Sequence, residues 1–135
     1  MPLAIDASVT LAWYFPDEQT PKALAARQIL VREGGLVPAH WWYEVRNAML
    51  MAERRGRTTE QLTAPALLNL TRLPIDQIAR QDDARIFPIA RRHRLTFYDA
   101  AYLELALREK ISLATLDQAL AAAAAAEGVP LVIAT

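Results

Sequence analysis

Short apolar runs alternate along the chain with longer stretches whose apolar residues recur every three or four positions. The short runs, Leu3 to Ile5, Leu36 with Val37, Ile111 to Ala114 and Leu131 to Ile133, predict buried strands. The longer stretches predict helices. One passes through Val9 to Phe15 and is broken at Pro16, Asp17 and Glu18. A second is capped by Thr20, takes Pro21 at its first position and runs to about Glu33, where Gly34 and Gly35 stop it. A third runs from about Trp41 to Arg55, with Trp41, Val45, Ala48, Met49 and Ala52 on its apolar side and Gly56 as its stop. Thr58 or Thr59 opens a fourth, reaching about Asn69. Leu73 to Ile75 reads as a short extended piece. The pattern from Gln77 to His93 is helical again, with Pro88 predicting a kink or break. Thr96 caps a further helix, and an alanine-rich one from Asp117 to Glu127 ends at Gly128.

This alternation predicts a three-layer α/β/α fold with a mainly parallel central sheet. The chain has 135 residues and shows no repeat or linker, so one domain over 1–135 is expected. A hydrophobic fraction of 53% fits a packed core rather than disorder. No apolar run approaches the ~20 residues of a membrane helix, and no basic-then-apolar leader opens the chain. A cytoplasmic protein is expected.

One polar position does not fit the pattern. At ~100° per residue, Asp99 falls on the same side of its helix as Tyr102, Leu103 and Ala106. That puts a carboxylate in the apolar stripe, where it costs free energy unless paired or bound to a metal. Asp6 directly follows the first strand, and Asp117 follows the strand at Ile111 to Ala114. Glu44 lies near the start of the third helix, on the border of its buried face. Ligand sites of parallel sheets lie outside the carboxyl ends of the strands. If the strand order brings these ends together, four carboxylates converge and need hard divalent cations, Mg²⁺ or Mn²⁺, to neutralise them. Such ions can activate water toward a phosphodiester. Each acid also has a plainer reading. Asp117 suits the N-cap of the alanine-rich helix, Asp6 suits a turn with Ser8 capping the next helix, and Glu44 suits a surface ion pair. Asp99 gains from the helix dipole in a first turn.

Composition narrows the chemistry. Without cysteine there is no disulfide, thiolate nucleophile or zinc–thiolate site. Neither a GxGxxG nor a GxxxxGK[ST] phosphate loop is present. His40 and His93 lack metal-ligand spacing and read as surface or satisfied core positions. The aromatic runs Trp13 to Phe15 and Trp41 to Tyr43 suit core or interface better than base stacking. A receiver-like domain would need a lysine after a late strand, whereas Lys110 precedes its strand. Net charge is zero, yet arginines cluster at Arg54, Arg55 and Arg57 and at Arg91, Arg92 and Arg94. These are candidate phosphate contacts, or helix-end cations that complement the dipole.

Taken together, Asp6 to Val9, Glu44 with Val45, Asn47 and Ala48, Tyr98 to Ala100 with Tyr102 and Leu103, and Leu113 to Thr115 with Asp117 resemble a PIN-domain ribonuclease of the VapC toxin type. Arg55 with Gly56, and the final helix with Gly128 and Val129, fit as well. The resemblance implies that Asp6, Glu44, Asp99 and Asp117 bind metal, with Ser8 and Thr115 supporting them through hydroxyls. It implies Mg²⁺- or Mn²⁺-dependent endonucleolytic cleavage of RNA by an activated water, with no protein nucleophile. It further implies a homodimer held inactive by a small antitoxin, with DNA contacted only through that antitoxin. The rival expectation is a catalytically silent PIN fold that binds RNA or serves assembly.

Overall fold

The computed structural model describes residues 1–133. Strands β1 (Leu3–Ile5), β2 (Gly35–Pro38), β3 (Ile75–Ile78) and β4 (Leu113–Ala114) form a sheet in the order β3-β2-β1-β4, every pair parallel. Helices α1 (Ala7–Ala12), α2 (Pro21–Glu33), α3 (His40–Arg54), α4 (Glu60–Thr71), α5 (Asp83–His93), α6 (Phe97–Glu109) and α7 (Gln118–Ala126) complete a three-layer α/β/α arrangement. A 3₁₀ turn at Pro16–Glu18 separates α1 from α2. Both inner strands, β1 and β2, are continuous apolar runs because helices cover both faces. The chain steps from β1 to β2 to β3 in one direction, and β4 then returns to the far side of β1. Right-handed crossovers therefore place α2 and α6 on opposite faces. The reversal also creates a crevice between the carboxyl ends of β1 and β4.

Local sequence chemistry sets most helix starts. Thr20, Thr59 and Thr96 each cap a helix by accepting a backbone N–H three residues on, from Ala23, Leu62 and Asp99 respectively. Two helices are tied by a buried polar bridge. The Trp41 indole donates to Thr10 Oγ1 at 3.0 Å, and Thr10 in turn donates to the Asp6 carbonyl at 2.9 Å. The start of α3 is thereby locked against α1. Trp13 is satisfied by the Ala23 carbonyl at 2.8 Å, so both tryptophans are core residues. Trp42 and Tyr43, by contrast, are exposed, and the Arg46 guanidinium lies over the Trp42 ring.

Several expectations are corrected. Residues 77–82 are not helical: Gln77 and Ile78 belong to β3, which pairs with β2 from Gly35↔Ile75 to Pro38↔Ile78. At this sheet edge Asp76 and Gln77 are exposed, so no apolar run marks the strand. Pro88 does not break α5, which runs on through it. Its surface position leaves the Ala84 carbonyl, which lacks its usual donor, open to water. Helix α1 ends at Ala12, short of Phe15. The last strand reduces to a single bridge, Leu131 to Leu113, at the β4 edge. Finally, α6 has no stripe. Every residue from Ala100 to Ala106 is buried, including Glu104, whose carboxylate is held by Arg108 at 2.9 Å.

Candidate active site at the carboxyl edge of the sheet

Asp6 leaves β1 at the crevice and caps α1 itself, so the cap is not Ser8. Its Oδ1 accepts from the Val9 backbone N–H at 3.1 Å and from Ser8 Oγ at 2.7 Å, while Oδ2 accepts from Thr115 Oγ1. The β1–β4 register explains the last contact, because Ile5 pairs with Ala114 and the next residues stand side by side. Burial raises the Asp6 pKa; the Thr115, Ser8 and Val9 bonds act against this, and the Asp117 charge adds to it. Ser8 Oγ also accepts from the Leu116 N–H at 2.9 Å, and Thr115 Oγ1 from the Asp117 N–H at 3.0 Å. Both hydroxyls therefore join the α1 start to the loop after β4.

Asp117 caps α7 by accepting from the Leu120 N–H at 2.8 Å. The plainer reading of this residue holds, and it does not exclude a second role, because that bond uses only Oδ1. Asp99 sits at the third position of α6, half-buried. Burial first, and then the charges of Asp117, Asp6 and Glu44, push its pKa up to about 6. Each of the three other acids contributes to this shift, so all three lie within electrostatic reach of Asp99.

Glu44 reaches the edge from α3. Its Oε1 accepts from the Tyr102 hydroxyl at 2.7 Å and lies 3.3 Å from His40 Nε2. The His40 ring meets the Tyr102 ring edge-on at 4.8 Å, and its Nε2 is 3.1 Å from the Tyr98 carbonyl. Burial holds the His40 pKa down against the pull of Glu44, and burial also pushes the Tyr102 hydroxyl far up. Sequence reasoning left both residues without a role. The signals were present: His40 precedes Glu44 by one helical turn, and Tyr102 follows Asp99 by three residues. Lys22 was also missed; its Nζ lies 3.4 Å from the Thr115 carbonyl and brings a cation to the crevice loop.

The arginine clusters lie apart from this arrangement in different degrees. Arg54, Arg55 and Arg57 are at the far end of α3, roughly 15 Å along the axis from Glu44. Arg57 is paired with Asp17 and Glu18. Arg91, Arg92 and Arg94 close α5 just before α6 begins. Arg92 pairs with Glu127, and Arg91 lies over the Phe87 ring. A cavity of about 360 Å³ lies at the opposite, amino edge of the sheet, lined by Leu3, Ser112, Glu33 and Lys110 among others.

The donor set suits a hard divalent cation: all-oxygen, anionic and mutually repelling. Among the described residues, no three acid or histidine side chains stand close enough to form a ready-made cage. An ion held here would keep part of its water shell, as Mg²⁺ ordinarily does.

The comparisons with known proteins agree with this architecture. The family model described as PIN domain matches residues 3–126. The chain is 35% identical to Ribonuclease VapC3 of Pyrobaculum aerophilum over 126 residues, 90% of this chain and 93% of that protein. It is also similar in fold to the crystal structure of PAE2754 from Pyrobaculum aerophilum. The TM-score is 0.74 at 24% identity, covering 98% of this chain and 91% of the other.

Proposed function

The chain belongs to the PIN-domain family, in its VapC-type branch, and from that premise we propose that it is a metal-dependent endoribonuclease toxin. The observation that carries this reading is the convergence on Asp99 of the charges of Asp117, Asp6 and Glu44, with Asp6 and Asp117 at the ends of the neighbouring strands β1 and β4. Asp6 and Asp117 have cap duties, but half-buried Asp99 has none, and its carboxylate is held at a cost beside three other acids in the metal-free protein. A bound Mg²⁺ or Mn²⁺ ion supplies charge neutralisation and an activated water for phosphodiester hydrolysis.

The chain's own groups have distinct parts in this reading. Asp6, Asp99 and Glu44 would hold the principal ion, and Asp117 would complete or adjust the site, directly or through water. Ser8 and Thr115 fix the Asp6 carboxylate in one orientation by donating to its two oxygens. No side chain has to act as a nucleophile. Arg91, Arg92 and Arg94, and likewise Arg54, Arg55 and Arg57, are the candidate phosphate contacts, with Arg92 and Arg57 having first to leave their carboxylate partners. One PIN-like domain over residues 1–135 suffices for the activity. We take the protein to act in the cytoplasm as a homodimer, restrained by an antitoxin that alone contacts DNA. An antitoxin arginine or lysine entering the acid cluster would replace the cation's charge directly. Among the described residues no helix is long and apolar enough to cross a membrane.

The test is incubation of the purified, antitoxin-free protein with a total RNA pool, with and without Mn²⁺, followed by mapping of the cut ends. Cleavage is expected only with the ion. Asp6→Asn and Asp99→Asn should each lower it at least a hundredfold while leaving the circular dichroism spectrum unchanged, the order of loss seen when a principal electrostatic group is removed from a hydrolytic site. Full activity in both variants would overturn the assignment.

A further inference from the structure

Glu44 is the acid whose own backbone does least to orient it. Asp6 and Asp117 are short side chains fixed as helix caps, and Asp99 is a short side chain in the first turn of α6. Glu44 has one more rotatable bond than an aspartate, and it projects from the interior of α3 with its side chain about a third exposed. Left alone it would sample several rotamers. Yet its Oε1 is held at 2.7 Å by the hydroxyl of Tyr102, a side chain only 1% exposed on α6, and is approached at 3.3 Å by His40 Nε2. His40 is itself confined, between the rings of Tyr98 and Tyr102 and against the Tyr98 carbonyl. Oε2 has no protein partner among the described residues.

We propose that Tyr102, assisted by His40, is a positioning residue that reserves Glu44 Oε1, so that Glu44 offers a divalent cation only Oε2. The proposal rests on the metal-site reading above and deepens it. A buried neutral hydroxyl is well suited to such positioning, because it holds one carboxylate oxygen by a hydrogen bond and leaves the charge available to the ion. It also couples α3 to α6, so that Glu44 and Asp99, which ride on those two helices, are set relative to each other. The two helices are otherwise far apart in sequence. A phenylalanine at 102 would fill the same space and supply none of this.

The test is Mn²⁺ titration of the purified protein, read by electron paramagnetic resonance of the free ion, so that cleavage need not be measured. Tyr102→Phe should weaken Mn²⁺ binding about tenfold, the lower end of what loss of an outer-sphere partner costs. The decisive comparison is made in a Glu44→Gln background, where Tyr102→Phe should change affinity less than twofold, because the carboxylate charge it positions is gone. A merely structural tyrosine would weaken binding equally in both backgrounds, and that result would overturn the proposal. So would wild-type affinity in the Tyr102→Phe single variant when Asp99→Asn has lost Mn²⁺. Should Tyr102→Phe lose its near-ultraviolet spectrum, His40→Phe is read in the same cycle, with an expected single-variant loss of about threefold and none in the Glu44→Gln background. Wild-type protein that binds no Mn²⁺ would instead overturn the metal-site reading itself.

Discussion

At neutral pH the Asp99 carboxylate is charged against the combined effect of burial and three neighbouring acids, which push its pKa up to about 6 from an ordinary 3.8. Below about pH 4 the group is protonated in both the folded and the unfolded chain and adds nothing to pH dependence. Between about pH 4 and pH 6 the folded chain keeps a proton that the unfolded chain has lost, so stability falls as pH rises. Above pH 6 the penalty is complete. Asp99→Asn should therefore stabilise the metal-free protein at pH 7.5. The gain is on the order of 1 kcal/mol, or about 3 °C in Tm, after discounting for the carboxyl's partial exposure. At pH 4 the gain should vanish. Thermal unfolding of both proteins in chelator at the two pH values measures this, and a variant no more stable at pH 7.5 than at pH 4 would contradict it. A site acid whose removal destabilises nothing but catalysis is the pattern of a residue kept for function.

Helices α5 and α6 share a different kind of strain. Each ends on a non-glycine residue in the left-handed region, Arg94 at φ 54° and Lys110 at φ 56°. The Lys110 N–H still closes the last turn onto Ala106 and Leu107, so the conformation is imposed by the cap. Lys110→Gly removes the Cβ penalty at an exposed position, offset in part by greater freedom in the unfolded chain. The expected result is a gain of about 0.5–1 kcal/mol in urea unfolding with an unchanged m value. Loss of stability would show that the lysine side chain makes a contact worth more than the strain. At this scale the helices were the legible part of the chain, because threonine and aspartate caps and glycine stops are local chemistry. Strand β3 was not legible: Asp76 and Gln77 face water, and only pairing with β2 makes Ile75–Ile78 extended. The full burial of α6 was equally hidden, since Glu104 reads as a solvent position until Arg108 is seen closing over it. The four acids were visible one by one, as was the possibility of their meeting. What spacing does not contain is the bonding between helices, Trp41 to Thr10 and Tyr102 to Glu44, which depends on how α1, α3 and α6 cross.

The strand order carries the consequence for the molecule as a whole. Because β4 returns beside β1, Asp6 and Asp117 end at one crevice, and both, with Glu44 from α3, act on the charge of Asp99 although they span residues 6 to 117. A cation held there would tie β1, α3, α6 and the start of α7 together, so its binding energy would resist unfolding of the whole core rather than of one loop. Binding to the folded chain alone adds RT ln(1 + [L]/Kd), about 2.7 kcal/mol at a hundredfold excess over Kd. With zero formal net charge, general screening by salt has little to act on, and any effect of the ion should be local to the acids. Mn²⁺ at that excess is thus expected to raise Tm by roughly 8 °C. NaCl at matched ionic strength should leave Tm nearly unchanged, and Asp99→Asn should lose most of the Mn²⁺ effect. Equal shifts with Mn²⁺ and NaCl would mean that the acids at the crevice do not act as one site.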